Sequence, residues 1–357
     1  MESNSSNGPT SQTPSVIELE SITEYKASVF IWKFVPPILI LLGTAGNTLS
    51  ILTLRRKSIR SSTTALYLTV LAFSDLTVLH TGLLRQWLRY AFAVDVRAIS
   101  EIGCKIHIWL VYSSLDCSAW ILVVLTIERV VSVWLPHRAK GLCTKFTAAV
   151  SLILIGVFVL SLNSHLLYGK GNVVNADTID KCDAINESYY QFFNKIWPWI
   201  DLCVYSLVPC TVIIVGNSLI LVKIIKSRNK IRSRARSAGA RRNRAPNRNT
   251  SSMTAVLFTL NIFFLISTTP ISAYNIGYAY WVNINDLERV ARLDLWWAIV
   301  NMFMYSNNTF NFILYCFIGS KFRQEVIKMI CRAEETTTEN VSLQLSNLRR
   351  TDNTCVN

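Results

Sequence analysis

The sequence predicts an all-α fold: a seven-transmembrane helix bundle followed by a short amphipathic helix on the membrane surface. Three observations carry that prediction. Of 357 residues, 51% are hydrophobic and only 16% are charged, where soluble globular chains carry about 25% charged residues. The apolar residues gather into seven runs, near 30–54, 63–89, 104–134, 145–168, 194–225, 252–281 and 293–317. Each is long enough to cross a hydrocarbon core of about 30 Å. The bases behind the net charge of +14 sit beside these runs, in the links that join them.

Residues 1–28 are rich in Ser, Asn, Thr and Pro and turn acidic at Glu18, Glu20 and Glu24, the composition of a flexible tail. Met1 to Pro14 is polar, with no apolar core of a cleavable leader. The first run ends in Arg55-Arg56-Lys57, the third is followed by His137, Arg138 and Lys140, and the fifth by bases from Lys223 to Arg248. Lys321, Arg323 and Lys328 follow the seventh. Links after odd-numbered runs are thus basic, and the positive-inside rule puts them in the cytoplasm and the N-terminus outside. The expected organisation is an extracellular flexible tail (1–28), a seven-span bundle with its surface helix (29–331) and a cytoplasmic tail (332–357), in the plasma membrane. Cys104, Cys182 and the glycosylation acceptors Asn4 and Asn186 then lie outside, where disulfides and glycans form. Acceptor patterns at Asn249, Asn307 and Asn340 fall inside the cell or membrane and are discounted. Base placed beside spans argues for topology and anionic lipid, and against nucleic acid as a partner.

The third run carries Cys104 at one end and Glu128-Arg129 at the other, about 37 Å apart on a helix rising ~1.5 Å per residue. A charged pair at the foot of an oily helix either anchors at the headgroups or works. Asp75 lies mid-run in Leu71-Ala72-Phe73-Ser74-Asp75, where a carboxylate needs donors or a cation. Asn47, Ser114, Ser118, Asn307, Asn308 and Asn311 are the available partners. Two readings follow: an oxygen-rich pocket for an allosteric sodium ion, or a hydrogen-bonded Asp that packs helices. Beyond the seventh run, Phe322, Val326, Ile327 and Ile330 fall at helical spacing among bases, and Cys331 at the end suits palmitoylation.

Other classes lack their signatures. Nine cysteines show no CxxC or Cys/His cluster, so zinc and thiol-redox readings fail. No inverted repeat supports a transporter. Neither HExxH nor GxSxG occurs, and the four histidines are scattered, so no enzyme chemistry is expected.

Gly46-Asn47, Leu71-Ala72-Phe73-Ser74-Asp75, Cys104 with Cys182, Glu128-Arg129-Val130, Pro209, Phe264 with Pro270, and Asn311-Phe312-Ile313-Leu314-Tyr315 resemble the motifs of the rhodopsin-like G protein-coupled receptors. The resemblance covers roughly residues 30–331. The run Asn311 to Cys316 is similar to that of invertebrate neuropeptide receptors, such as those for FMRFamide-like peptides. The likeness implies a Cys104–Cys182 disulfide and a heterotrimeric G protein as partner, with arrestin and receptor kinases as further ones. It implies an activation switch of Glu128, Arg129, Pro209, Phe264, Pro270, Asn311 and Tyr315, in which the sixth helix swings outward and Arg129 turns to the G protein. Departures stand out. Thr268, Phe312 and Asn217 occupy the family's tryptophan, proline and tyrosine positions. The fourth run has no tryptophan, and Pro246 to Thr259 has no acid to clamp Arg129. A missing clamp of this kind implies raised resting activity.

Val111 stands where amine receptors need an aspartate, and Phe303 to Ser306 offer no lysine for retinal. The candidate ligand site is Arg85, Tyr112, Asp116, Asp201, Tyr274, Asn275, Tyr278, Trp297, Asn301 and Tyr305. This set fits a short extracellular peptide, with Asp201 as partner for a guanidinium. A non-peptide small molecule is the alternative ligand, and a poorly signalling or arrestin-biased decoy the alternative receptor. Plainer readings stand beside it: Arg85 and Arg89 snorkel to headgroups, Asp116 bonds two helices, and Trp87, Trp197, Trp199 and Trp281 form an interface belt. On a regular helix Arg85 sits some ~80° from the face of Asp75.

Overall fold

The computed structural model describes residues 16–331 apart from 175–178, 238–247, 284–285, 321 and 330. Asn4 and the tail beyond 331 lie outside that range. Among the described residues, six helical stretches are long and apolar enough to cross a membrane: Thr23–Leu54, Thr63–Phe92, Glu101–Trp134, Lys145–Gly169, Glu187–Ser227 and Ala255–Tyr278. The seventh helix, Leu287–Ile318, is less apolar because Asn301, Asn307, Asn308 and Asn311 lie along it. All four are buried, since this helix packs between the first and the sixth. Its polar face meets protein, which is where a membrane tolerates such residues.

Helix starts are marked by side chains that accept from the orphan N–H groups of the first turn. Ser62, Ser100 and Asp286 each do so, and Thr144 with Thr147 forms a reciprocal cap. Ala93, at φ 55°, ends the second span in the left-handed region. Three π-helical turns, Leu79–Leu83, Phe192–Ile196 and Leu202–Leu207, interrupt the second and fifth spans. The last lies immediately before Pro209, whose ring would meet the carbonyl of Tyr205 in a regular helix; the widened turn relieves that clash. The first changes the phase between Asp75 and Arg85, so uniform helical rotation does not place Arg85.

One expectation is amended. The flexible tail does not reach residue 28: Val16–Ser21 is helical and packs beside the seventh helix, the first span begins at Thr23, and Ser28 is buried. Leu19 and Ile22, both partly buried, supply the apolar contacts that a wholly solvated tail would lack. The bundle also carries a β-hairpin in the fourth-to-fifth link, strand β1 (Lys170–Val174) antiparallel to β2 (Ile179–Ala184). Cys182 of β2 forms a disulfide with Cys104 at the head of the third helix.

Lipid tails give helices no reason to hide apolar surface from each other, so close packing and hydrogen bonds hold the bundle. Gly216 shows this: a β-carbon there would lie 2.5 Å from Thr126 Cγ2, so only glycine lets the fifth helix approach the third. Trp109 and Trp120 of the third helix serve the tryptophan-free fourth. Trp109 donates to the Leu160 carbonyl at 3.0 Å, and Trp120 meets Phe158 edge-on. After the seventh helix, residues 322–329 are helical, with Phe322 and Val326 buried and Ile327 exposed. Cys331, beyond them, is exposed.

Candidate functional site

Midway along the bundle, Asp75 is fully buried and receives three donors. Ser118 Oγ and Asn308 Nδ2 donate to Oδ1 at 3.1 and 2.7 Å, and Asn311 Nδ2 donates to Oδ2 at 2.7 Å. Asn47 Nδ2 donates to the Asn308 carbonyl. Of the other expected partners, Ser114 turns away: its hydroxyl donates to Leu110 and Val111, while its carbonyl accepts from Ser74. Asn307 is buried but makes no hydrogen bond with Asp75 among the described residues. The oxygens Asn47 Oδ1 and Asn308 Oδ1 are buried without partners.

Toward the Arg129 end, Glu128 Oε1 accepts from Thr63 Oγ1 at 2.5 Å and pairs with Arg129 at 3.4 Å; Arg129 also donates to Thr64. Where the sixth helix lacks an acid, Asn261 takes up the contact between helices. Its Nδ2 donates to Thr126 Oγ1 at 2.9 Å and to Asn217 Oδ1 at 3.4 Å, tying the sixth helix to the third and fifth. Phe264 is buried edge-on to Tyr205. Thr268, in the tryptophan position, donates to the Phe264 carbonyl at 2.7 Å, two residues before Pro270. Tyr315 packs on Phe322 at 5.4 Å, and a cavity of about 260 Å³ opens between Arg129, Thr64, Tyr315 and Phe322.

At the Cys104 end a cavity of about 340 Å³ is walled by Tyr112, Phe193, Trp197, Asp201, Asn275, Tyr278 and Trp297, with Tyr190 and Asn194 beside them. Five of the ten expected ligand residues meet there. The carboxylate of Asp201, which lines this cavity, has no hydrogen-bond or ion-pair partner among the described residues.

The other five do not wall this cavity, and four of them hold hydrogen-bond partners of their own. Arg85 neither snorkels nor stands free: Nε and Nη2 clasp Asp95 at 2.8 and 2.5 Å. Burial pushes the Asp95 carboxyl up, but the Arg85 bonds and the Arg97 backbone N–H outweigh it and hold it below the ordinary carboxylate value. Asp116 accepts from Asn163 Nδ2 at 2.8 Å, joining third and fourth helices. Tyr274 donates to the Leu293 carbonyl and Asn301 to that of Trp297. Tyr305 is buried over Gly82, where a β-carbon would meet its hydroxyl at 2.9 Å. Trp197, read as a belt residue, is instead buried, its ring 4.0 Å from that of His165. Sequence reasoning also passed over Phe193, Asn194 and Tyr190, because π-helical turns reset which face of the fifth span points inward. Asn261 and Thr126 carry no motif that marks them.

Asn186 caps the helix Glu187–Gln191 through Oδ1, which accepts from Tyr189 N at 2.8 Å. Its Nδ2 is left free by that bond, and the residue is exposed.

Comparison with known proteins agrees with this layout. The family described as "7 transmembrane receptor (rhodopsin family)" matches residues 46–315. The human C-C chemokine receptor type 1 is 24% identical over 84% of this chain and 80% of its own length. The FMRFamide receptor of Drosophila melanogaster is 24% identical over 79% of this chain but only 50% of its own length. The rat neuromedin-U receptor 1 is 26% identical over 80% and 70%. A family match over most of the chain, the disulfide from the third helix to the hairpin, and Asp75 and Arg129 at their helical stations lead to one statement: this chain belongs to the rhodopsin family of seven-transmembrane, G protein-coupled receptors, a family of receptors and not of enzymes.

Proposed function

We propose that the chain is a plasma-membrane receptor for a short extracellular peptide, with its Cys104 end and N-terminus outside and its C-terminus in the cytoplasm. The observation that carries this is the aromatic-walled cavity with an unpartnered Asp201 at the Cys104 end. A carboxylate without a counter-ion in such a wall favours a ligand that brings a cation, and a guanidinium pairs with it in two hydrogen bonds. Relatives named as chemokine, FMRFamide and neuromedin-U receptors support a peptide over a small molecule. Occupancy would be transmitted through Phe264, Pro270, Asn311 and Tyr315, with Pro209 in the fifth helix, to the Glu128–Arg129 pair and a heterotrimeric G protein. Arrestin and receptor kinases would act on the cytoplasmic tail. Asn4 and Asn186 would carry glycans, and Cys331 an acyl chain holding residues 322–329 on the inner leaflet.

Sodium is the proposed allosteric ion at Asp75, since Asn308, whose Nδ2 donates to that carboxylate, and Asn47, which donates to the Asn308 carbonyl, each bury an Oδ1 without a donor. A cation there would displace the amide donors Asn308 and Asn311. We expect sodium to lower agonist affinity and Asp75→Asn to abolish the effect. Absence of any sodium effect in the parent receptor would remove the site. Thr268 and Phe312 at two switch positions favour a second reading, a receptor biased toward arrestin. The test for both is a screen of amidated, arginine-containing neuropeptides on cells expressing a promiscuous G protein, read in parallel for arrestin recruitment. Nucleotide exchange driven by one peptide supports the first reading, and recruitment without exchange supports the second.

A further inference from the structure

A second cavity, of about 650 Å³, opens between Pro270, Ala273 and Trp281 of the sixth helix and Arg292, Trp296 and Val300 of the seventh. It shares no wall residue with the Asp201 cavity. Tyr274 stands between the two: its ring packs on Tyr278 and Trp297 at 5.7 and 5.6 Å, and its hydroxyl donates to the Leu293 carbonyl. Ala273, Tyr280, Trp281 and Trp296 are exposed, so this groove opens off the flank of the bundle, on the side that a membrane covers.

The groove runs from Pro270 to Trp281 on one helix and from Val300 to Arg289 on the other, about 16 Å in each case at a rise of ~1.5 Å per residue. That is about the depth of one leaflet, half of a hydrocarbon core of about 30 Å. Its chemistry changes along that length. Pro270, Ala273 and Val300 make the deep end wholly apolar. Nearer the helix ends stand Trp281 and Trp296, with Trp281 folded back over Gly277, where a β-carbon would collide with its ring. Arg289 and Arg292 occupy the mouth. Each has an acid on its own helix or cap, Asp286 at 3.5 Å and Glu288 at 3.3 Å. Both arginines are exposed, and ion pairs of this kind hold weakly, which leaves the guanidiniums able to take a phosphate. The acids also make the mouth mixed in sign, and that fits a zwitterionic head better than an anionic one.

We propose that this groove holds a zwitterionic phospholipid of the surrounding leaflet, with its phosphate on Arg289 and Arg292 and one acyl chain running down to Pro270 and Val300. A basic pocket between membrane helices retains a phosphate-bearing lipid, and tryptophan suits the level where head and chain meet. The assignment does not depend on what the Asp201 cavity binds. Through Tyr274 the lipid sits one ring away from two walls of that cavity.

The test uses the full-length receptor in nanodiscs of an uncharged digalactosyl lipid, doped with phosphatidylcholine that carries a diazirine midway along one acyl chain. After photolysis, labelled residues are mapped by peptide mass spectrometry, with the exposed Ile153 and Leu154 of the fourth helix as the reference lipid face. We expect enrichment at Pro270, Ala273 and Val300 over that reference, and its loss when unlabelled phosphatidylcholine is added. Arg289→Gln combined with Arg292→Gln should cut the enrichment at least about fivefold, and the paired lysine variant should restore most of it. Labelling equal to that of the fourth helix, or unchanged in the double glutamine variant, would overturn the proposal. So would stronger competition by phosphatidylglycerol, which marks an anionic-lipid site, or competition by soluble phosphocholine, which needs no chain. Should the glutamine variant not reach the membrane, failure of unlabelled phosphatidylcholine to displace the label in the parent would overturn it.

Discussion

Asp75 and Asp201 are both carboxylates within the helical bundle, yet their surroundings differ. Asp75 is met by three donors from the third and seventh helices. Asp201 faces an aromatic cavity and is met by none among the described residues. Buried polar groups are ordinarily paired because leaving them unpaired is expensive. The saturated carboxylate therefore contributes to the bundle, whereas the unsaturated one is a cost that a ligand can offset. The same contrast separates the bundle's two ends: the Arg129 end is laced by Thr63, Thr64, Asn217 and Asn261, and the Cys104 end leaves Asp201 without a partner among the described residues.

The largest effect should come from removing the two carboxylates in turn. Asp75→Ala orphans two amide donors and a hydroxyl, and we expect a loss of about 2–4 kcal/mol in the unfolding of receptor in nanodiscs. Asp201→Ala should be neutral, or stabilising by about 0.5–1 kcal/mol, since it removes a carboxylate that nothing among the described residues pairs. Equal losses would erase the contrast. Next is the contact that stands where a salt bridge is absent. Asn261→Leu breaks its bonds to Thr126 and Asn217, and a loss of about 1 kcal/mol corresponds to roughly fivefold more ligand-independent nucleotide exchange. Unchanged basal exchange at matched surface expression would show that those bonds do not hold the sixth helix. The same comparison bears on resting activity, because a silent parent is what this Asn261 contact predicts, against the raised activity expected from the missing acid. Glu128→Gln should raise basal exchange less, about twofold, since Thr63 can still hydrogen-bond to the amide.

The smallest effect concerns pH. The Asp95 carboxyl lies below its ordinary value in the folded protein. Its contribution is therefore complete above the unfolded value, about 4, and is lost as pH falls through the folded one. An acid unfolding series should show Asp95→Asn and parent converging below that range and separating by under about 1 kcal/mol above it. A separation that grows toward acid would contradict the sign.

Motif-bearing residues were legible because their spacing along single helices is rigid. Cys104, Asp75, Arg129 and Tyr315 each occupy a station that a period of 3.6 residues fixes, and the seven spans followed from unbroken apolar runs. Partners across irregular backbone were not legible. Arg85 finds Asp95 past the left-handed Ala93, Asp116 finds Asn163 on another helix, and Trp197 turns inward through the π-helical turns flanking it. The hairpin's short strands left too little periodicity to register against seven long helices.

The most direct test is agonist potency at Asp201→Asn against the parent, at equal surface expression, using the first arginine-containing peptide that activates the receptor. Truncating one partner of a buried charge pair costs about 2–5 kcal/mol, so we expect potency to fall by at least about thirtyfold. An unchanged potency would mean that the ligand's cation goes elsewhere and that the cavity at the Cys104 end is not where it is read.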